Sequence, residues 1–224
     1  MIYLSGGGQC SDEESCSGRF DGSRYPYNDC LNSTSSAPCY MSSKDNPKTC
    51  TKGGIFSAMN EDANVIYVPY CSSDGWMGSS SFNGWEMQGS AIALAVVDEI
   101  VPILEQLGAE SLPTVVFGGG SAGGRGAAVL LDEVAARLSK VATVVGFLDS
   151  PYYSATDPYG DFEGFLSQTI DVYANFLEGG DLESTVIPNK CSAAYPNEPW
   201  KCLFGEYRYV SQTPSCSCAV SVQC

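Results

Sequence analysis

Short apolar runs separated by polar, glycine-rich stretches give this chain its pattern. Ile2-Tyr3-Leu4 predicts a short buried strand that delivers Ser5-Gly6-Gly7-Gly8-Gln9-Cys10. Asn64 to Tyr70 predicts a second strand, ending where Pro69 lacks a ladder donor, with Cys71 to Trp76 as a turn at its carboxyl end. Trp85 to Leu107, rich in Ala, Ile, Leu and Val, predicts a crossover helix closed by Gly108 and kinked or split at Pro102. Thr114 to Phe117 is β-branched and apolar, as a buried central strand should be. From Ala127 to Leu138 apolar positions recur at helical spacing. Val141 to Leu148 predicts another strand, Phe162 to Leu177 another helix, and Cys218 to Gln223 a last strand. Strand and helix alternate, which predicts an α/β fold with a mostly parallel sheet and helices on both faces.

Two regions lack periodicity. From Cys10 to Gly54 the composition shifts to Ser, Asn, Asp, Gly and Pro, with five cysteines spread through it. A loop region of that length is unusual in a compact domain unless stapled or functional, and the cysteines predict stapling. Cys191 and Cys202 bracket a second predicted loop, which contains Pro196, Pro199 and Trp200.

Composition narrows the class. A chain of 224 residues predicts one domain with a substantial core. Eleven cysteines suit an oxidising compartment, so a secreted or lumenal protein is expected, and the sequon Asn32-Ser33-Thr34 agrees. With no histidine and no C-x-x-C pair, no metal site is expected. The formal charge of -15 argues against nucleic acid and anionic membrane as partners, and makes a polyanionic substrate awkward at low salt. The longest apolar stretch, Ala91 to Val97, is too short to span a bilayer. A monomer is expected.

The candidate chemistry lies between the central strand and its helix. Gly119-Gly120-Ser121-Ala122-Gly123 fits the G-x-S-x-G nucleophile elbow, in which a sharp turn lifts a strained serine clear of the sheet. Ser121 is the candidate nucleophile. Consecutive glycines after Leu4 free backbone N–H groups for an oxyanion hole, although a plain flexible turn explains them too. Asp74 and Trp76 are candidates for lining a pocket at the carboxyl end of a strand; an Asx turn and a packed loop tryptophan are the alternatives. Asp149 stands where a triad acid could reach but reads better as a turn former before Pro151. Gly118, Gly120 and Gly123 also satisfy G-x-G-x-x-G, so a dinucleotide site competes, although Asp149 is farther on than that fingerprint wants.

A serine hydrolase needs a base for its nucleophile, and in this fold the base is a histidine late in the chain. The missing histidine, the absence of a leader before the first strand and the predicted strand at Cys218 to Gln223 together predict a single incomplete catalytic domain, truncated at both ends. The alternative is a disulfide-stapled binding module without catalysis.

Several segments together resemble the pectin acetylesterase family, which includes the Notum carboxylesterases. They are Leu4 to Cys10, Gly53-Gly54-Ile55-Phe56-Ser57, Val68 to Trp76, Gly119 to Gly124, Phe147-Leu148-Asp149-Ser150 and Trp200 to Gly205. Val68 to Trp76 is nearer the Notum version; Gln9 stands where plant members usually have Trp. The resemblance implies an α/β-hydrolase fold and a Ser-Asp-His triad acting on esters of an acylated polysaccharide or another acylated substrate, with no cofactor. By position it makes Ser121 the nucleophile and gives the oxyanion hole to the N–H groups of Gly7, Gly8 and Ala122. It makes Asp149 structural and puts the triad aspartate and histidine beyond Cys224.

Overall fold

The computed structural model describes residues 1–20, 63–106, 111–155 and 165–211. In chain order its elements are β1 (Ile2–Leu4), α1 (Glu13–Phe20), β2 (Ile66–Val68), β3 (Ser80–Phe82), β4 (Trp85–Met87), α2 (Gly89–Gln106), β5 (Thr114–Gly120), α3 (Ala122–Leu138), β6 (Thr143–Asp149) and α4 (Phe165–Phe176). Short helices α5 (Glu183–Val186) and α6 (Asn189–Ala194), a 3-10 turn at Pro199–Leu203 and α7 (Gly205–Ser211) follow.

Four strands form one parallel sheet in the order β2-β1-β5-β6. Being parallel, they bring four carboxyl ends to one edge, those of Leu4, Val68, Gly120 and Asp149. The chain runs from β1 outward to β2 and returns to the other side of β1 as β5, so the strand order reverses between β1 and β5. In open α/β sheets that reversal opens the crevice in which sites are built. Here the reversal falls between the neighbouring strands that end in the glycine loop after Leu4 and in the turn after Gly120.

The core follows from the apolar runs. Ile2, Leu4, Val115 and Phe117 are buried in the sheet, and α3 packs against β1, β5 and β6, with its Ala127, Leu130, Val134 and Leu138 buried in the core. Packing that close needs glycine at the start of α3. A Cβ on Gly123 would lie 2.0 Å from the Leu4 carbonyl oxygen, and one on Gly124 2.5 Å from that of Asp149.

The structure differs from the sequence expectations in four places. The predicted loop from Cys10 contains α1, opened by a reciprocal cap: Ser15 N–H donates to Asp12 Oδ1 at 2.7 Å, and Asp12 N–H to Ser15 Oγ at 3.1 Å. Trp85 belongs to β4 of a hairpin, so the crossover helix begins only at Gly89. Asn83 and Gly84, both at positive φ, form the hairpin turn. Pro102 does not split α2, which runs unbroken through it. The stretch from Cys191 to Cys202 is mostly helical, closed by a disulfide between those two residues. Gly53 to Ser57, Gly108 and the predicted strand at Cys218 to Gln223 lie outside the described residues. Among the described residues no helix is long and apolar enough to cross a membrane.

Candidate active site

Ser121 sits between the end of β5 and the first residue of α3, with φ 53° and ψ −121°. A non-glycine residue is strained there, and the surroundings over-determine it. Its N–H donates to the Asp149 carbonyl at 3.0 Å, and its own carbonyl accepts the Arg125 N–H at 2.9 Å. A Cβ on Gly119 would lie 2.5 Å from Gly123 and from the Leu4 carbonyl oxygen, so both flanking glycines are required by close backbone approach. Ser121 itself is exposed, although the residues on either side of it are buried. The Ala122 N–H next to it belongs to the first turn of α3, where N–H groups lack helical partners and the dipole favours negative charge.

The glycine loop reaches the same point from β1. A methyl on Gly6 would lie 2.6 Å from the Gly120 carbonyl oxygen and 3.1 Å from Ser121 Cβ. Gly7 and Gly8 follow, both exposed and both at positive φ, 147° and 71°. So Ser121, Gly7, Gly8 and Ala122 are gathered at one edge of the sheet.

Two buried arginines hold this loop. Arg19, on α1 and 2% exposed, donates from Nη2 to the Gly7 carbonyl at 2.7 Å and from Nε to Ser73 Oγ at 3.0 Å. The Cys10–Cys16 disulfide ties the end of the loop to α1, one turn before Arg19. On the other side Arg125, 1% exposed, donates to Gln9 Oε1 at 3.1 Å and to Thr169 Oγ1 at 2.8 Å. The Tyr153 ring lies 4.5 Å from its guanidinium carbon. Burial lowers its pKa to about 10, against the opposing influence of Tyr153 and Tyr70. The patterns of the sequence did not point to either arginine. The cap at Asp12 and Ser15 was the available signal for Arg19, since it places Cys16 and Arg19 three apart on one helical face.

Asp74 and Trp76 support the site from below. Both are fully buried, so neither presents a surface to a ligand here. Asp74 accepts from Ser72 Oγ at 2.6 Å, Trp76 N–H at 2.9 Å and Gly89 N–H at 2.7 Å, joining the turn to the start of α2. Burial raises its pKa, partly offset by those hydrogen bonds. Trp76 Nε1 donates to the Ser5 carbonyl at 2.9 Å, its ring stacks on Tyr70, and its Cβ lies 2.2 Å from where a Cβ on Gly126 would be. It wedges between the glycine loop and α3.

Asp149 contributes mainly through its backbone. Besides accepting from Ser121 N–H, it accepts from Ser150 Oγ at 3.1 Å through its carboxylate. Tyr3 stands over Gly120, its pKa raised by burial and then by the Asp149 charge. The glycines of the competing dinucleotide pattern have packing reasons instead. A Cβ on Gly118 would lie 2.0 Å from the Phe147 carbonyl oxygen, and one on Gly120 2.6 Å from the Tyr3 hydroxyl.

Comparison with known proteins adds the following. A family model described as pectinacetylesterase matches residues 1–215. The palmitoleoyl-protein carboxylesterase NOTUM of Homo sapiens is 29% identical over 233 residues, covering 99% of this chain and 43% of that protein. Its Drosophila melanogaster counterpart is 29% identical over 226 residues, covering 93% of this chain and 30% of that protein. A 1.9 Å crystal structure of the Wnt deacylase Notum from Drosophila superposes with a TM-score of 0.72 at 28% identity, covering 95% of this chain and 59% of that one. The chain thus spans less than half the length of these two curated relatives.

Proposed function

The chain belongs to the pectinacetylesterase family, and from that premise we propose that it is part of a serine carboxylesterase that removes acyl groups from an acylated polysaccharide or another acyl-ester substrate. One observation carries the reading: Ser121 is exposed at φ 53° on a strand-turn-helix junction, in contact range of the Gly6 to Gly8 loop. Ser121 Oγ attacks the ester carbonyl, and the electron pair of the C=O bond moves onto its oxygen. The N–H groups of Gly7, Gly8 and Ala122 meet that charge, aided by the N-terminus of α3. The intermediate collapses with loss of the alcohol, and water then releases the acid from the acyl-serine.

Ser121 needs a base to take its proton. This sequence contains no histidine, and we assign the base and its orienting carboxylate to the rest of a longer enzyme. Disulfides at Cys10–Cys16 and Cys191–Cys202 support an oxidising, extracellular or lumenal setting. The similar Notum proteins are named for palmitoleoyl-protein substrates, so acyl length is the open variable.

The test is hydrolysis of p-nitrophenyl acetate, butyrate and octanoate by the protein in its natural length and by its Ser121→Ala variant. The reading expects turnover that falls about a million-fold in the variant. Turnover that survives Ser121→Ala overturns it. The ratio of acetate to octanoate kcat/KM then places the enzyme among acetyl or long-acyl esterases.

A further inference from the structure

The loop that presents the Gly7 and Gly8 amides does not hold its own conformation. Both glycines are at positive φ, and a run of three glycines is the least restricted backbone a chain can offer. At the Gly7–Gly8 peptide the restraint is the buried guanidinium of Arg19. Arg19 reaches out of α1, is 2% exposed, and gives Nη2 to the Gly7 carbonyl at 2.7 Å. Its Nε is held by Ser73 Oγ at 3.0 Å, and its Nη1 lies 3.2 Å from where a Cβ on Gly8 would be. The Cys10–Cys16 disulfide and the hydrogen bond from Cys10 N–H to the Ser73 carbonyl at 2.8 Å fix the far end of the loop to the same support.

Peptide geometry turns that contact into a directional one. The carbonyl of Gly7 and the N–H of Gly8 belong to one planar trans peptide and point in opposite directions. With the carbonyl drawn inward onto Arg19, the Gly8 N–H must face outward, on the exposed side of the loop. We propose that Arg19 is a positioning residue for ester hydrolysis, setting the orientation of the Gly7–Gly8 peptide so that the Gly8 N–H is directed at the developing oxyanion. This rests on the esterase reading of Ser121. Arg19 touches no reacting atom. Its effect is to remove the cost of reorienting a free peptide at the moment charge develops, which is where preorganised donors gain their advantage. Lysine has one point of attachment and lacks the fork that spans Gly7 and Ser73 at once.

The experiment compares Arg19→Gln, Arg19→Lys and Ser73→Ala with the wild type, in the protein at its natural length, using a p-nitrophenyl ester. The expected result is a kcat lowered about tenfold to a hundredfold in Arg19→Gln with KM changed less than about twofold, a smaller loss in Ser73→Ala, and partial recovery in Arg19→Lys. The crystal structure of Arg19→Gln is expected to show the Gly7–Gly8 peptide rotated. An unchanged kcat, or a rise in KM alone, overturns the inference. If Arg19→Gln does not accumulate as a folded protein, Ser73→Ala decides. It removes only the hydroxyl holding the guanidinium, and an unaltered kcat there overturns the inference. Turnover that survives Ser121→Ala would sink the esterase reading separately. The peptide orientation in the Arg19→Gln crystal then judges the positioning role on its own, and an unrotated peptide counts against it.

Discussion

Gly6 and Ser121, 115 positions apart in the chain, stand so close that a methyl group on Gly6 would lie 3.1 Å from Ser121 Cβ and 2.6 Å from the Gly120 carbonyl oxygen. That approach joins the loop after β1 to the turn after β5 at the point where the strand order reverses. Gly6→Ala is therefore expected to push the two apart and cost about 1–3 kcal/mol, since backbone cannot yield as a flexible side chain does. Chemical denaturation measures the stability loss, and ester turnover should fall with it. A Gly6→Ala protein of wild-type stability and activity would contradict the geometry.

Ser121 is strained at φ 53°, and glycine is not. Ser121→Gly should raise the unfolding free energy by about 1 kcal/mol, whereas Ser121→Ala, which keeps the Cβ, should not. Thermal melts of the two variants separate strain from chemistry, because both lose the hydroxyl. Equal melting temperatures would mean that the turn stores no strain at this residue.

The Trp76 indole links the Ser5 carbonyl to a ring wedged against Gly126. Trp76→Phe preserves most of the apolar volume but leaves a buried carbonyl without its donor, for an expected loss of about 1–3 kcal/mol. Denaturant midpoints read it. A neutral substitution would show that water replaces the indole.

Asp74 has a pKa raised above its ordinary 3.8 by burial. The folded state then holds this proton more tightly than the unfolded chain does. Its contribution to stability is fully present below about pH 3.8 and is lost as pH rises through the raised folded value. Relative to Asp74→Asn, which cannot ionise, the wild type should lose stability across that interval. Urea titrations of both proteins between pH 3.5 and 7 test the sign, and a wild type that gains on the variant as pH rises reverses it.

Among the described residues two disulfides close short loops, with sequence separations of 6 for Cys10–Cys16 and 11 for Cys191–Cys202. Chain-entropy scaling assigns about 2 and 3 kcal/mol to them. Replacing Cys10 and Cys16 by serine should reduce ester turnover more than replacing Cys191 and Cys202, although it costs slightly less stability. The first bridge anchors the loop and the helix carrying Arg19. Parallel melts and rates decide, and equal loss of turnover in the two double variants would remove that distinction.

Local pattern carried much of this fold. β-branched runs marked β5 and β6, apolar spacing marked α3 and α4, and glycines on both sides of Ser121 marked the turn between strand and helix, because each depends on neighbours in sequence. Other local signals are masked by their surroundings. Asn83-Gly84 specifies a hairpin, yet the aliphatic stretch beginning a few residues later masked it. Asp12 with Ser15 caps a helix, yet the polar composition around it resembles a loop.

What the sequence determined by itself was the alternation of β1, β2, β5 and β6 with the long helices α2 to α4, and the pairing of a serine turn with a second glycine loop, since backbone freedom and apolar periodicity are written residue by residue. Only the tertiary structure decided what the buried polar groups do. Arg19 meets a serine 54 positions away and Arg125 a glutamine 116 positions away, while Asp74 and Trp76 turn out to brace the site from inside the core. A buried charge or indole takes whichever partner the fold brings to it, and that partner is set by the crossing of distant segments, which no local pattern records.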